Sequence, residues 1–555
     1  MPMKPVLRYL PALAAAILAT AALASIAQTQ VNLAALAALG APVSAATRLL
    51  VTLQDLAGFG PVMTGIVAAA FMCAMPAGHV IGRRRTRAVR LAVQALAGAA
   101  GLWAGFALLA LVTPMPALVD ATGTAGGLAA VSLTGVVGGL LFAWLAPAAA
   151  AAGAMGTGAR DRLRAALALA ALTIVPGMLF LASAPRPGPA VRHADPAGYV
   201  VQVVATGLDR PWSLAFLPDG RTLVTERAGR LLALGRDGAR TAIALAGMPP
   251  VLREGGAPLM TVAIDPQFAA NRLLYLTLGY ATSGAPGTPG MNGTRLVRAR
   301  LDGDRLADVR ILFDSTPKAS ASNNGGALAF LADGTLVMSV GDGQERERAQ
   351  LPGSHQGKLV RLDREGRAPA DNPFAGRPGV APALYSLGHR NPQGLAFDAV
   401  NGILLASDHG PRGGDELGAI GAGGNHGWPV TTGGIDYSFA RVTPYRALEG
   451  VTAPLLEWTP SIAPGGLAVY DADLFAGWRG DLLVPALKER ALRRVRRDGA
   501  RIVGQELLLA ELDERLRDVR VAPDGAIHVL TDGQGARLLR IVPATAERRA
   551  TLQGS

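Results

Sequence analysis

The chain has 555 residues, with 53 lysines and arginines against 41 aspartates and glutamates, and a mean hydropathy of +0.30. Residues 1–185 hold only 11 of the basic and 3 of the acidic side chains, so the chain is neither one soluble domain nor wholly a membrane channel. Of the formal net charge of +12, +8 lies in this apolar part, where arginines between apolar runs indicate membrane topology rather than phosphate binding. We therefore expect no nucleic-acid partner. The single cysteine, Cys73, cannot form an internal disulfide.

Five apolar stretches in the first part are long enough to cross a bilayer as helices. They are residues 9–27, 59–81, 91–113, 127–151 and 165–184. Basic residues cluster before the first stretch, between the second and third, and between the fourth and fifth. Because basic loops stay in the cytoplasm, these clusters predict a cytoplasmic N-terminus. Five crossings predict a multi-pass inner-membrane protein whose C-terminal domain lies in the periplasm.

The apolar part leaves two alternatives open. Residues 31–53 are apolar but interrupted, which favours a helix lying along the outer surface of the membrane. The first stretch is also compatible with a signal peptide cleaved near Ala27, and either interpretation leaves the C-terminal domain on the same side. A linker rich in proline and glycine follows at 185–198. The predicted organisation is thus a transmembrane domain over 1–184, this linker, a soluble domain over 199–545 and a tail over 546–555.

A strand, a tight turn and a second strand recur six times in the soluble part. The copies lie at 216–234, 264–280, 330–342, 397–410, 470–495 and 521–541. Asp-Gly and Asn-Gly turns bound many of these short apolar runs, as in β-hairpins. Six such units predict an all-β six-bladed propeller after the helical domain, with the strand at 199–208 closing the last blade. Function is then expected in the loops at one end of the central channel.

Several loops depart from the repeat and carry distinctive strings. They are GHRNPQG at 388–394, DHGPRGGDELGAIGAGGNHGWP at 408–429, RLRDVRVAPDG at 515–525, NNGG at 323–326, GKLVRLD at 357–363, PSIAPGG at 460–466 and ALKER at 486–490. With these strings the chain resembles the soluble quinoprotein sugar dehydrogenases, the glucose/sorbosone and aldose dehydrogenases that use pyrroloquinoline quinone (PQQ). The resemblance covers about 205–541 and not the apolar part. It implies a six-bladed propeller, in agreement with the repeat.

The resemblance also implies which residues hold the cofactor. PQQ is a flat quinone with three carboxylates, and arginine suits it because a guanidinium binds a carboxylate through two parallel hydrogen bonds. Arg390 and Asn391 match the pair beside the reactive carbonyl. Lys488, Arg515 and Arg517 match the cations that bind the carboxylates.

Calcium is the second cofactor that the resemblance implies. The backbone carbonyls of Gly410 and Pro411 match those that hold Ca²⁺ against the quinone, and oxygen ligands suit this hard cation. Asp415 and Glu416 match residues of a second, structural Ca²⁺ site. Two adjacent carboxylates are equally compatible with a solvated turn.

The base of the reaction is the main departure from the family pattern. The family uses a histidine where this chain has Asn323 and an arginine where it has Ala327, and a glutamine of the family has no match in 254–260. An amide cannot act as a general base. His355, His389, His409 and His426 lie near the motifs. Any of them could serve as a substitute base, but a structural role is the more common one for a histidine in such a loop.

Three hypotheses follow. The first is a membrane-anchored quinoprotein that oxidises an aldose sugar to its lactone and passes electrons to a membrane quinone or a periplasmic cytochrome. The second is a catalytically impaired propeller that binds PQQ or sugar as a sensory module, with Asn323 in place of the base. The third, a calcium-dependent lactone hydrolase, rests on fold analogy and would need a cluster of carboxylate and asparagine side chains facing the channel, which the sequence does not clearly show.

Overall fold

The structure is a computed structural model that describes residues 9–112, 119–146, 189–251, 259–282, 290–499 and 501–544. It contains two compact units. The first unit comprises Met1–Pro185 and Ile435–Pro444, and the second comprises Arg186–Gly434 and Tyr445–Ser555.

The first unit is helical. Its helices are α1 (Leu10–Ala38), α2 (Ala45–Gly58), α3 (Gly60–Gly82), α4 (Arg87–Val112) and α5 (Ala125–Leu145). By length and composition, α1, α3, α4 and α5 could each cross a membrane. The fifth predicted stretch, 165–184, lies outside the described residues. Small residues let α4 and α5 approach closely, because a Cβ on Gly98 would lie 1.9 Å from the carbonyl oxygen of Gly135.

Helix α1 is longer than the predicted first stretch. It continues through residues 28–38, so the prediction of a separate helix over 31–53 was wrong in its first part, and the separate helix is Ala45–Gly58. The polar residues that lower the hydropathy here do not break the helix, because they are buried and bonded within the unit. Gln28 accepts a hydrogen bond from the backbone of Ala121, and Thr29 donates one to Asp55. The chain turns only at Gly40, whose φ is +90°.

The second unit is built of six separate sheets, as the repeat predicted. Blade 1 contains β3 (Pro211–Phe216), β4 (Thr222–Glu226), β5 (Arg230–Leu234) and β6 (Arg240–Ala242). Blade 2 contains β7 (Leu259–Ile264), β8 (Leu273–Ala281), β9 (Asn292–Asp302) and β10 (Arg305–Asp314). Blade 3 contains β11 (Gly325–Phe330), β12 (Leu336–Val340), β13 (Lys358–Leu362) and β14 (Leu384–Leu387).

The other three blades complete the ring. Blade 4 contains β15 (Pro392–Asp398), β16 (Ile403–Asp408), β17 (Asp415–Ile420) and β18 (Leu456–Trp458). Blade 5 contains β19 (Ala468–Val469), β20 (Leu482–Ala486), β21 (Ala491–Asp498), β22 (Arg501–Leu508) and β1 (Val191–His193). Blade 6 contains β23 (Leu516–Val521), β24 (Ile527–Thr531), β25 (Gln534–Pro543) and β2 (Tyr199–Asp209).

Strand β2 closes the ring. It pairs antiparallel with β25 from the Tyr199–Pro543 pair to the Asp209–Gln534 pair, so the first long strand of the unit completes the last blade. This confirms the predicted closure. Strand β1, within the segment predicted as a linker, pairs parallel with β22. Its three exposed residues are too few to show a strand period in the sequence.

The first strand of each blade lies at the centre of the ring. Strands β3, β7, β11, β15, β19 and β23 contact one another in this order, and β23 returns to β3. Second strands such as β12 are buried along their whole length, because neighbouring blades cover both faces. Since neighbouring strands of a blade are antiparallel, the loops before each first strand and after each second strand meet at one end of the channel.

Candidate active site

Every candidate site residue lies at this one end of the propeller. Asn323 precedes β11, Arg390 and Asn391 precede β15, and Arg515 and Arg517 lie where β23 begins. Gly410 and Pro411 follow the second strand β16, and Lys488 follows the second strand β20. The topology therefore gathers residues that are separated by up to about 200 positions into one loop cluster.

Asn323 is bonded to a buried carboxylate that the sequence did not single out. Its Nδ2 donates to Oδ1 of Asp342 at 2.8 Å, and Nε1 of Trp428 donates to Oδ2 of the same group at 2.8 Å. Burial raises the pKa of Asp342, while the charge of Arg390 and three hydrogen bonds oppose that shift. Because Nδ2 faces Asp342, the amide oxygen of Asn323 is left as an acceptor.

Asp408 fixes the backbone of Arg390 and Asn391. Their backbone N–H groups donate to its two carboxylate oxygens at 3.0 and 2.6 Å. The guanidinium carbon of Arg390 lies 5.5 Å from the ring centre of Trp428. The side-chain oxygen of Asn391 accepts hydrogen bonds from the backbone of Gly325 and from Gln393. The loop of Asn323 and the loop of Arg390 are thereby linked.

The carbonyl of Gly410 already faces a cation. Nη1 of Arg390 donates to this oxygen at 3.0 Å and to the carbonyl of His409 at 3.1 Å. Backbone oxygens that converge on a positive group fit the oxygen ligation that Ca²⁺ requires. The neighbouring Pro411 is also buried.

Asp415 organises the loops around the site. Its Oδ1 accepts from the backbone N–H of Gly410 at 2.9 Å. Its Oδ2 accepts from the hydroxyl of Ser461 and from the backbone of Ile462 and Ala463 at 2.7–2.8 Å. The carboxylate thus has four protein donors, and a cation could bind it only in exchange for some of them.

Glu416 belongs instead to a row of carboxylates across blade 4. It lies directly opposite Asp408 on β16 and Glu457 on β18, so all three side chains share one face of the sheet. Burial and these neighbours raise the pKa of Glu416 well above its usual value. Among the described residues, no three His, Cys, Asp or Glu side chains lie close enough to hold a metal by themselves. A cation here would also need backbone or water oxygens.

Arg517 is the buried cation on the other side of the site. Its guanidinium carbon lies 4.7 Å from the ring centre of Trp212, and Nη2 lies 3.2 Å from Oδ1 of Asp532. Arg515 binds the other oxygen of Asp532, but its side chain is 48% exposed, against 9% for Arg517. Lys488 is exposed at the same end. The cations therefore form a buried inner pair, Arg390 and Arg517, and an exposed outer pair, Arg515 and Lys488.

The four histidines near the motifs have other partners. His389 bonds to Ser386 through Nε2 and stacks on His426, with ring centres 4.7 Å apart. Burial lowers the pKa of His426 to about 3 and that of His355 to about 4. Nε2 of His409 lies 2.6 Å from the carbonyl of Pro464, and burial also lowers its pKa. His355 also accepts a hydrogen bond from the backbone N–H of Thr316 through Nδ1. A lowered pKa makes His355, His409 and His426 weak bases, so they are poor substitutes for a base at the position of Asn323.

Comparison with known proteins decides the family. The sequence profile described as Glucose / Sorbosone dehydrogenase matches residues 208–540, more than half of the chain. The chain belongs to the glucose/sorbosone dehydrogenase family. The match covers the propeller and leaves the helical unit outside.

Members of the glucose/sorbosone dehydrogenase family with known activity or structure are similar over the same region. Aldose sugar dehydrogenase YliI of Escherichia coli is 36% identical over 355 residues, which cover 63% of this chain and 94% of that protein. A crystal structure of a glucose dehydrogenase is 41% identical, with a TM-score of 0.59 over 61% of this chain and 99% of the other. The PQQ-bound aldose sugar dehydrogenase of Streptomyces coelicolor is 29% identical, with a TM-score of 0.51 over 63% of this chain and 100% of the other.

Proposed function

We propose that the protein is a membrane-anchored quinoprotein that oxidises an aldose to its lactone with PQQ and Ca²⁺. The observation that carries the proposal is the pairing of two buried guanidiniums with two indole rings at the end of the propeller where the motif loops meet. Arg390 lies against Trp428, and Arg517 lies against Trp212. Flat aromatic surfaces combined with fixed cations suit a planar molecule that carries several carboxylates.

The site residues would have distinct roles toward PQQ, Ca²⁺ and the sugar. Arg390 and Asn391 would lie beside the reactive carbonyl of PQQ, and Arg517, Arg515 and Lys488 would bind its carboxylates. The carbonyls of Gly410 and Pro411 would hold Ca²⁺, and the oxygen of Gly410 also accepts a hydrogen bond from Arg390. When bound, the quinone accepts hydride and the metal polarises its carbonyl. Asn323 would orient the anomeric hydroxyl through its amide oxygen, but it cannot take the proton.

The helical unit would anchor the enzyme in the inner membrane. Its four candidate spans support a multi-pass arrangement. The periplasmic position of the propeller follows from the basic loops of the sequence only if the predicted fifth stretch, 165–184, also crosses the membrane. Electrons from the reduced cofactor would pass to a membrane quinone or a periplasmic cytochrome.

A second candidate function is a propeller that binds PQQ or sugar without efficient turnover. The amide of Asn323 where the family has histidine favours it, because general-base catalysis contributes about 10²- to 10⁴-fold to such reactions. The third hypothesis, a hydrolase, needed a carboxylate cluster, and the described residues contain none that could hold a metal by side chains alone.

The test is reconstitution of the purified full-length protein with PQQ and Ca²⁺, followed by reduction of an artificial acceptor across a panel of aldoses. We expect reduction that depends on sugar, PQQ and Ca²⁺ together. PQQ binding without acceptor reduction would favour the binding module. Failure to bind PQQ would overturn the dehydrogenase and the PQQ-binding module, and failure to bind the aldoses as well would overturn the sugar-binding module.

We further predict that Glu416 contributes to a structural calcium site. Ca²⁺ at 100 times its Kd should stabilise the metal-free protein by about 2.7 kcal/mol. Glu416→Gln should abolish most of the calcium-dependent rise in Tm, because it removes a carboxylate from the row formed with Asp408 and Glu457. Thermal unfolding with EDTA and with Ca²⁺ measures this. The matched control Glu449→Gln, at an exposed loop position, should retain the full rise. An unchanged rise in Glu416→Gln would exclude this residue as a ligand.

A further inference from the structure

The ammonium group of Lys318 is buried behind the loop that carries Asn323. The side chain has no exposed surface. Nζ donates to Oδ1 of Asn292 at 2.9 Å, to the carbonyl of Ser322 at 3.0 Å and to the carbonyl of Ser320. Three acceptors match the three donors of an ammonium group. Two of them belong to the residues that lead directly into Asn323.

The backbone at Asn323 needs such support. Its φ is +49°, and it lies outside the regular strands, in the loop before β11. Its carbonyl oxygen accepts a hydrogen bond of 3.2 Å from the backbone N–H of Gly343. The loop is thus held at its carbonyls by Lys318 and at Asn323 by the segment that contains Asp342.

Lys318 also contacts that second segment directly. A Cβ on Gly343 would lie 2.1 Å from Cδ of Lys318, so the aliphatic part of the lysine packs on bare backbone next to Asp342. Lys318 therefore contacts both chain segments that form the Asn323–Asp342 hydrogen bond, the one that leads into Asn323 and the one that contains Asp342. A shift of the ammonium group would change the distance between these two residues.

The surroundings of Lys318 have opposing effects on its pKa. Burial lowers its pKa to about 8, while the negative charges of Asp342 and Glu345 oppose the shift. Arg390 also faces Asp342, and so does Lys358, whose pKa burial lowers to about 7. A neutral amine has two N–H donors instead of three, so deprotonation leaves one of the three oxygens without its donor.

We propose that Lys318 in its ammonium form is a positioning residue that holds the amide of Asn323 against Asp342, and that deprotonation of Lys318 loosens this loop and slows sugar oxidation. The inference rests on the proposed dehydrogenase function for its kinetic consequence. Its structural part concerns only the loop and does not depend on turnover.

The kinetic test is the pH dependence of kcat in the full-length holoenzyme. For the wild type we expect kcat to fall as the pH rises through about 8, since the active form carries the proton. Lys318→Met should lower kcat at pH 7 by about 10- to 100-fold, the effect of a misplaced group, and should show no fall near pH 8. Lys318→Arg keeps the charge and should move the fall to higher pH. PQQ affinity should stay within about twofold in each variant, because Lys318 does not bind the cofactor.

Lys358→Met is the matched control. It also removes a buried lysine that faces Asp342, but Nζ of Lys358 donates to the carbonyls of Arg348 and Gln356, away from the Asn323 loop. We expect the fall near pH 8 to persist in this variant. If Lys358→Met abolishes the fall and Lys318→Met does not, the proposal is overturned.

Global unfolding would not produce the same profile. Lys318 has a pKa of about 8 in the folded protein against 10.5 as its ordinary value. Between these pH values the unfolded chain binds more protons, so this group makes the free energy of unfolding rise with pH. If kcat falls as the pH rises through about 8 while the free energy of unfolding does not fall, the loss of activity comes from a local change in the Asn323 loop and not from unfolding.

Hydrogen exchange at fixed pH tests the structural part without activity. The peptide over 318–325 should exchange faster in Lys318→Met than in the wild type, and Lys358→Met should match the wild type there. Faster exchange in a protein without turnover would support the positioning role and count against the dehydrogenase function. Unchanged exchange with a normal pH profile in Lys318→Met would refute the positioning role in an active enzyme.

Discussion

Replacing Asn323 by histidine should raise the rate of PQQ reduction by an aldose by about 10²- to 10⁴-fold, the usual contribution of a general base. A ring nitrogen at this position could donate to Asp342, as the amide now does at 2.8 Å, and the other nitrogen would be left to accept the hydroxyl proton. The backbone tolerates the change, because histidine is among the residues that adopt a positive φ more readily. Single-turnover reduction of the bound cofactor measures the rate.

Two variants make this result specific. Asn323→Gln keeps an amide and should bring no gain. Asn324→His adds the same imidazole one position further on, where the present side chain donates to the carbonyl of Ala321 and not to Asp342. A gain in Asn324→His alone would mean that the base position is assigned to the wrong residue. No gain in Asn323→His, with PQQ bound normally, would mean that the missing base does not limit the reaction.

Replacing Arg517 by methionine should weaken PQQ binding by about 10- to 100-fold, because a buried charge-assisted hydrogen bond contributes about 1.5–3 kcal/mol. The protein should still fold, since Asp532 keeps its ion pair with Arg515 at 3.0 Å. Quenching of tryptophan fluorescence can measure the Kd, because the guanidinium lies 4.7 Å from the ring centre of Trp212.

Arg515→Met is the matched control for this prediction. Arg515 shares Asp532 with Arg517, but about half of its side chain is exposed. Exposed ion pairs contribute about 0–1 kcal/mol, so the Kd should change by no more than about fivefold. Equal losses in the two variants would show that net charge, and not the buried guanidinium, controls affinity.

The fold could be predicted well because its signals are local and repeated. Six strand-turn-strand units and the early strand at 199–208 were sufficient to predict a closed six-bladed ring. The limits of α1 could not be predicted, because hydropathy measures the preference for lipid and not helicity. Gln28, Thr29 and Asn32 end the apolar run but continue the helix as buried residues.

The candidate site could be predicted in part. Motifs identified the loops that carry Arg390, Gly410 and Arg517, and the structure places these loops at one end of the channel. Asp342, Trp212 and Glu457 were missed, although each lies in or near a recognised repeat or motif. Asp342 belongs to a Gly-Asp pair that follows a strand, and Trp212 is a single tryptophan outside any motif. Neither pattern indicates which distant side chain the residue will contact.

The division into an apolar and a β-rich part, the number of blades and the residue types in the motif loops can all be predicted from the sequence alone. These depend on composition, on periodicity and on short strings, which are properties of neighbouring residues. Contacts between distant residues require the three-dimensional structure. Asn323 pairs with Asp342, and Lys318 contacts the Asn323 loop. Asp415 bonds to the loop at Ser461, while Glu416 lies opposite Asp408 and Glu457. Each of these depends on which strands become neighbours and in what register, and that arrangement is set by the packing of the whole ring.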